Sequence, residues 1–313
     1  MNSKVPQSNS QLEPITTPPD AEDVSERGSA VELASPELGH VIQEGRMSRR
    51  DLLKNVAALG VVALVGERLA DPTVPEITRH VVPMRNLKER VRVVQLSDLH
   101  RSWCVSDLFV AQAVDLANAQ SPDIVALTGD FVTKSASYAI SCAAQLKRLT
   151  PKIGTYAIPG NHDYWCDDGL GMPRVAEELA GIGIPMLVNK AFRLDSGLWF
   201  VGLDDIWAGA PKPQMIPLLP KGEPVLAITH NPSVYLYMTH YECTVLAGHT
   251  HGGQINVPYF TRKHFGKMPY LRGWYKGEAP HARLYVSRGL GTVHIPVRIN
   301  SRPEIGVFDF VPA

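Results

Sequence analysis

Val91-Arg92-Val93-Val94-Gln95-Leu96, followed at once by Ser97-Asp98-Leu99-His100, decides how the rest of the chain is read. A short apolar run stops abruptly in a polar cluster, and the pattern recurs four more times. Ile124–Leu127 runs into Thr128-Gly129-Asp130, and Gly154–Ile158 into Pro159-Gly160-Asn161-His162-Asp163. Val225–Ile228 precedes Thr229-His230-Asn231-Pro232, and Thr244–Ala247 precedes Gly248-His249-Thr250-His251. Apolar runs of this length, bounded by turn residues, suit strands buried on both faces. Between the first three, helical spacing appears over Ser106–Ala119, with Ser106 as N-cap, and Tyr138–Leu149 and Pro173–Ala180 follow it. Strand–helix–strand alternation of this kind predicts an α/β core with covered sheet faces.

Further along, Phe192–Asp204 reads as a hairpin turning at Ser196-Gly197. The last 30 residues read as β structure. Residues 89–313 are expected to form one domain.

Upstream the character changes. The 313 residues carry 31 basic and 31 acidic side chains and are 44% hydrophobic, enough for a core and too apolar for a wholly disordered chain. A net charge of zero argues against a nucleic-acid partner held by the overall field. The balance conceals an asymmetry, since residues 1–46 hold three basic against eight acidic side chains. This Ser-, Pro- and Glu-rich prefix has no sustained apolar period and is expected to be disordered. Residues 47–70 open with Met47-Ser48-Arg49-Arg50-Asp51-Leu52-Leu53-Lys54 and continue as a weakly hydrophobic run too short for a comfortable membrane span. That stretch resembles a twin-arginine export signal, which implies the twin-arginine translocation machinery as partner and an extracytoplasmic location. Either Met47 is the true start or the prefix is an extension. Arg68-Leu69-Ala70 makes a poor cleavage site, so an uncleaved anchor at the membrane surface is the alternative to processing. Residues 71–88, with Pro72, Pro75 and Pro83, read as a linker.

Every polar cluster stands at the C-terminal end of a strand, the edge where open α/β sheets bind ligands. Asp98, His100, Asp130, Asn161, His230, His249 and His251 offer hard oxygens and imidazoles. The four cysteines (Cys104, Cys142, Cys166, Cys243) form no C-x-x-C pair and stay out of the set, which favours Mn, Fe or Zn over a thiolate structural zinc. Seven ligands are too many for one tetrahedral ion and suit two ions sharing a carboxylate. In an extended backbone, Asp98 and His100, or His249 and His251, would project to one side. Gly129, Gly160 and Gly248 directly precede ligands, where a missing Cβ allows close approach. Each cluster alone is weak evidence, since a lone Gly-Asp is usually a turn and a lone histidine usually belongs to the core.

As an ordered set, D-x-H, G-D, G-N-H-D, His and G-H-x-H, the clusters resemble the calcineurin-like metallophosphoesterases over roughly residues 91–310. Asp163-Tyr164-Trp165, Gly252-Gly253-Gln254 and Arg302-Pro303-Glu304 resemble the bacterial branch whose members often carry twin-arginine signals. The resemblance implies a four-layer αββα sandwich of two mixed sheets flanked by helices. It assigns Asp98, His100 and His251 to one metal ion and Asn161, His230 and His249 to another, with Asp130 bridging. It further implies attack on phosphorus by a metal-bridging hydroxide. His162 would then stabilise charge or protonate the leaving oxygen. Asp163 would orient His162 or simply cap a turn.

The substrate is expected to be an envelope phosphodiester, lipid- or nucleotide-linked. Basic and aromatic residues over Thr261–Lys276, among them Arg262, Lys263, Arg272 and Trp274, are candidates to grip it, against a solvated surface loop. Cys104 and Cys166 follow ligand clusters and are expected as a free pair rather than a disulfide. The alternative to an enzyme is a non-catalytic, metal-stabilised extracytoplasmic binding protein. Neither the G-x-S-x-G of serine hydrolases nor a P-loop occurs.

Overall fold

A computed structural model describes residues 69–70, 73–257, 261 and 269–313. The acidic prefix, the twin-arginine run up to residue 68, and Arg262 and Lys263 lie outside the described residues.

The first sheet is built around Val91–Leu96. Strands β1 (Leu69–Ala70) and β2 (Glu76–Met84) precede β3 (Val91–Leu96), which is followed by α1 (Asp107–Asn118), β4 (Ile124–Thr128), α2 (Tyr138–Leu146) and β5 (Gly154–Ile158). The Ser106 hydroxyl caps α1 by accepting the Phe109 N–H at 3.2 Å. Phe109, Val110, Ala113, Val114 and Ala117 recur at helical spacing on the buried face of α1. Two more helices follow β5, a single turn α3 (Asn161–Trp165) and then α4 (Gly171–Gly181).

The second half supplies β6 (Lys190–Arg193), β7 (Trp199–Gly202), β8 (Val225–Ile228), β9 (Thr244–Ala247), β10 (Gly273–Lys276), β11 (Arg283–Val286), β12 (Arg298–Ile299) and β13 (Glu304–Pro312). The order β2-β13-β3-β4-β5 makes a five-stranded sheet and β10-β11-β9-β8-β7-β6 a six-stranded one, while β1 pairs with β12. Both larger sheets are mixed: β3, β4 and β5 run parallel, as do β7, β8, β9 and β11, while β13 lies antiparallel to β3 and β6 antiparallel to β7.

Three apolar clusters fill the spaces between layers. Val94 and Leu96 pack toward Val110, Val114, Leu146 and Val175 on the helices. Their neighbour Val93 turns the other way with Ile124 and Ala126, meeting Leu226, Ile228 and Leu246 of the second sheet. This strand pleat explains why valines fall on both faces of the run, because both faces of β3 are largely buried. On the outer face of the second sheet, Val201, Ala227 and Val245 meet Ile216, Val234 and Tyr235. The layers are therefore those of the expected αββα sandwich. The covering of the second sheet differs in kind, since it includes 3-10 segments over Pro213–Leu218 and Pro232–Tyr237. Pro217 lies inside the first and Pro232 opens the second, and proline removes the N–H that an α-helix interior needs.

The linker expected over 71–88 is not one. Glu76–Met84 pairs with all nine residues of β13 as the edge strand of the first sheet. Half-exposed and carrying Pro83, it shows the composition that edge strands tolerate and that conceals them in a sequence. Among the described residues no helix is long and apolar enough to cross a membrane.

Candidate metal centre

The loops leaving β3, β4, β5, β8 and β9 meet at one end of the two sheets and bond to one another through their backbones. Asp98 donates its N–H to the Gly129 carbonyl at 3.0 Å, and His100 to that of Asp130 at 2.9 Å. Gly248 donates to the His230 carbonyl at 2.9 Å, while the His249 N–H reaches Asp98 Oδ1 at 2.9 Å. Backbone bonds thus join the loops in two pairs, those after β3 and β4 and those after β8 and β9, and the Asp98 carboxylate links one pair to the other.

The side chains then converge. Asp98, His100 and His251 form one group of facing donor atoms, and Asp130, His230 and His249 a second. His100 Nε2 lies 2.9 Å from His251 Nε2 and 3.9 Å from Asp98 Oδ1, and His251 Nε2 is 3.5 Å from the same oxygen. In the other group His230 Nε2 is 3.3 Å from His249 Nδ1 and 3.1 Å from the Asn161 amide oxygen. The Asp130 Oδ2 atom stands between, 3.4 Å from His100 Nε2 and 3.1 Å from His230 Nε2. Two donors each about 2.1 Å from one ion, at angles near 90–110°, stand roughly 3.0–3.4 Å apart. The observed spacings fall at 2.9–3.5 Å, close to that range, except for His100 Nε2 to Asp98 Oδ1, which is longer at 3.9 Å.

The electrostatics fit a cation as well. Asp98 and Asp130 are buried, and every ion-pair partner they have among the described residues is a histidine. Burial and the nearby Asp130 charge push Asp98 up to about 6. Burial works against charge on His230 too, yet Asp130, Asp98 and Asp205 raise it to about 10. The same concentration of negative potential would hold a metal ion in place of that proton. Burial lowers His249 to about 3 and takes His100 and His251 well below the usual imidazole range, leaving these rings as lone-pair donors.

Ring orientation is set from behind. The Thr128 carbonyl, 2.8 Å from His230 Nδ1, can only accept, so Nδ1 keeps a proton and Nε2 is the atom where a metal ion would take the place of the second. Thr133 Oγ1 sits 2.6 Å from His100 Nδ1. Behind His251 lies Arg298, fully buried, with Nη2 3.2 Å from His251 Nδ1 and Nη1 2.8 Å from the Arg288 carbonyl. Glycines admit these approaches. A Cβ on Gly160 would overlap the Asp130 carboxylate, and one on Gly248 the Ser97 hydroxyl and Asp98.

Residues 91–253 match the sequence model of the calcineurin-like phosphoesterases. The chain belongs to that family. It is 30% identical to the "Uncharacterized metallophosphoesterase YkuE" of Bacillus subtilis, over 84% of this chain and 97% of that one. It is 31% identical to "Phosphodiesterase YaeI" of Escherichia coli, over 70% of this chain and 82% of that one. Among solved structures it resembles a dimetal phosphatase from Danio rerio with a TM-score of 0.46 and 12% identity, over 71% of this chain and 99% of that one. Membership makes the protein a metal-dependent phosphoester hydrolase.

This phosphoesterase site departs from the sequence reading at several positions. The paired donors are not on extended backbone: Asp98, His100, Asp130, His249 and His251 all have φ between 48° and 73°. They converge through left-handed turns. Asp163 does not address the His162 ring. Its Oδ2 accepts the N–H groups of Asp130 and Gly160, both at 2.9 Å, and its Oδ1 those of Phe131 at 2.8 Å and Val132 at 3.3 Å. It is a positioning residue that fastens the Gly129–Val132 turn. His162 is in place, half-buried, its ring centroid 5.0 Å from that of His100 and outside both donor groups.

Of the candidate substrate residues, Arg272 donates to the Asn300 carbonyl at 2.8 Å. Trp274 packs among His80, Tyr285 and Phe308 and donates Nε1–H to His80 Nδ1 at 3.2 Å, so it ties β10 to β2 rather than facing the donors. Cys104 lies against Ser102, and Cys166 donates to the Asp163 carbonyl. Thr133, Arg298 and Trp207, whose ring stands 4.3 Å from that of His249, were not singled out by any motif.

Proposed function

We propose that this protein is a dinuclear phosphodiesterase acting outside the cytoplasm. Asp98, His100 and His251 would hold one ion and Asn161, His230 and His249 the other, with Asp130 shared. The observation that carries this reading is the single oxygen Asp130 Oδ2, within 3.4 Å of a histidine from each donor group. The mixed oxygen and nitrogen donors suit Mn, Fe or Zn. Such ions supply Lewis acidity and lower the pKa of a nearby water. The chain's own contribution is to fix the donors. His162, beside His100 and free of both groups, is placed to stabilise charge at phosphorus and pass a proton to the departing oxygen.

An envelope phosphodiester, lipid- or nucleotide-linked, fits a chain whose Arg49-Arg50 run directs it to the twin-arginine route. Retention at the membrane surface by an uncleaved signal is part of the same reading. Hydrolysis of bis-p-nitrophenyl phosphate by the full chain with added Mn²⁺ should exceed that of the monoester and stop with chelator. Metal-independent turnover, or none with any of the three metals, refutes the proposal. Replacing both Arg49 and Arg50 with Lys should leave the protein in the cytoplasmic fraction, and unchanged export refutes that part.

A further inference from the structure

Two indoles beside the donors have no role so far. Trp165 closes α3, the turn that carries Asn161 and His162, and Trp207 lies on the loop after β7. Their rings are parallel, 11° apart with centroids at 6.1 Å, and nearly half of each is exposed, 49% and 41%. Trp207 meets the His249 ring edge-to-face at 4.3 Å, and Trp165 lies 5.6 Å from His162. Leaving indole surface in water forfeits much of the burial that makes tryptophan stabilising.

The loop that presents Trp207 is built stiffly. Asp205 Oδ1 accepts the N–H groups of Trp207 at 2.8 Å and Ala208 at 2.9 Å. Asp204 Oδ2 accepts that of Ala210 at 2.8 Å. A clasp joins the two halves, since Tyr164 on α3 donates its hydroxyl to Asp204 Oδ1 at 2.7 Å. Both indoles are therefore held relative to the donors by the turn that supplies Asn161.

We propose that Trp165 and Trp207 form a stacking shelf that selects phosphoesters bearing a planar aromatic ring, of which a nucleobase is the common biological example. The inference rests on the phosphoesterase reading above and adds its substrate class. A phosphate seated against His249 and His162 places one substituent a ring's width from the shelf. A third ring between the indoles would need two gaps of about 3.5 Å, roughly 7 Å in all. The 6.1 Å separation excludes that, so the ring stacks on an outer face. Parallel flat faces favour a flat partner over a flexible chain of equal area, because stacking adds to area burial.

The test uses three diesters that release the same methanethiolate, read with a thiol reagent, namely O-phenyl, O-n-hexyl and O-methyl S-methyl phosphorothioate, so that the phenyl ester alone carries a ring, with the metal-reconstituted full chain. The kcat/KM ratio of phenyl to methyl should fall roughly 5- to 100-fold in Trp165→Leu/Trp207→Leu, the range expected for a lost base–aromatic stack, and mainly through KM. Tyr164→Phe, which loosens the clasp and removes no ring from the shelf, should move the ratio the same way by less. Metal content is measured alongside. A ratio unchanged in the double variant overturns the shelf, as does an n-hexyl ester favoured as strongly as phenyl. Indole emission supplies a readout independent of turnover: phenylphosphonate should quench it saturably, methylphosphonate should not, and the double variant should lose the effect. Quenching without hydrolysis of any diester would leave the shelf standing and overturn the phosphoesterase reading. Hydrolysis with no quenching and no phenyl preference would overturn the shelf alone.

Discussion

Replacing Asp163 with Asn separates two accounts of one carboxylate. In the structure its four hydrogen bonds all come from backbone N–H groups, two on each oxygen. The amide keeps one acceptor and turns an NH₂ group toward two donors. The cheaper orientation faces the NH₂ to Phe131 and Val132, because the Val132 contact is already long at 3.3 Å. One strong and one weak bond are then lost, leaving two buried N–H groups without partners at about 1–3 kcal/mol each. Discounting the weaker contact gives a destabilisation of about 2–4 kcal/mol. For a domain of this size that corresponds to a fall in Tm of roughly 4–16 °C. Since the freed turn carries Asp130, metal content should fall with stability. Thermal unfolding and elemental analysis of the purified variant measure both. A variant with parental Tm and full metal content, but slow turnover, would show that Asp163 acts through His162, and the reasoning here would be wrong.

Other substitutions probe the remaining parts. Asp130→Asn should abolish turnover and lower the bound metal at both groups, checked by metal-to-protein ratio, because Asp130 Oδ2 faces both. His162→Ala should keep its metal while hydrolysis slows by about 10²–10⁴-fold, the usual loss for an acid–base group; loss of an ion would disprove its place outside the donor groups. Gly160→Ala puts a Cβ against the backbone and carboxylate of Asp130 and should reproduce the Asp130 defect in metal content. Asp309 joins β13 to β3 through Arg92, with both contacts at 2.9 Å, and the Arg92 hydrogen bonds hold its carboxyl below the usual value. A depressed carboxyl stabilises above its unfolded pKa and loses that contribution as pH falls through the folded one. Asp309→Asn should therefore cost about 1 kcal/mol at pH 7, seen in urea titrations, and the gap should close as pH drops well below 3.8.

What could be read from the chain follows the physics of burial. Strands β3, β4, β5, β8 and β9 are mostly apolar because both faces are largely covered, and a short apolar run with an abrupt polar end is visible in one dimension. The six facing carboxylates and imidazoles, and Asn161 beside His230, stood out for the same reason, each cluster marking a strand end. Strand β2 was hidden because an edge strand needs only one apolar face and can carry proline. Asp163, Thr133 and Arg298 act on partners that are distant in sequence or on backbone groups, and no spacing rule reports such contacts. The aromatic and basic run after the last donor cluster was legible as composition, but the pleat of β10 decides where Trp274 points, and it points to His80.

The left-handed donors explain why the site should respond to changes that touch no donor atom. Five non-glycine residues held at positive φ carry about 1–2 kcal/mol of strain each, so some 5–10 kcal/mol must be offset locally. The offset is visible in the bonds that their N–H groups make, two to carbonyls and two to carboxylates. Asp98 leans on Gly129, His100 on Asp130, Asp130 on Asp163, and His249 on Asp98, each by a bond of 2.9–3.0 Å. Each strained turn is thus secured by a neighbouring one, and no loop holds its conformation alone. Loosening one turn leaves the next without its partner, which couples both donor groups through the protein itself. Single changes at Gly160 or Asp163 should therefore deplete both groups together, whereas a set of independent loops would lose one ion and keep the other.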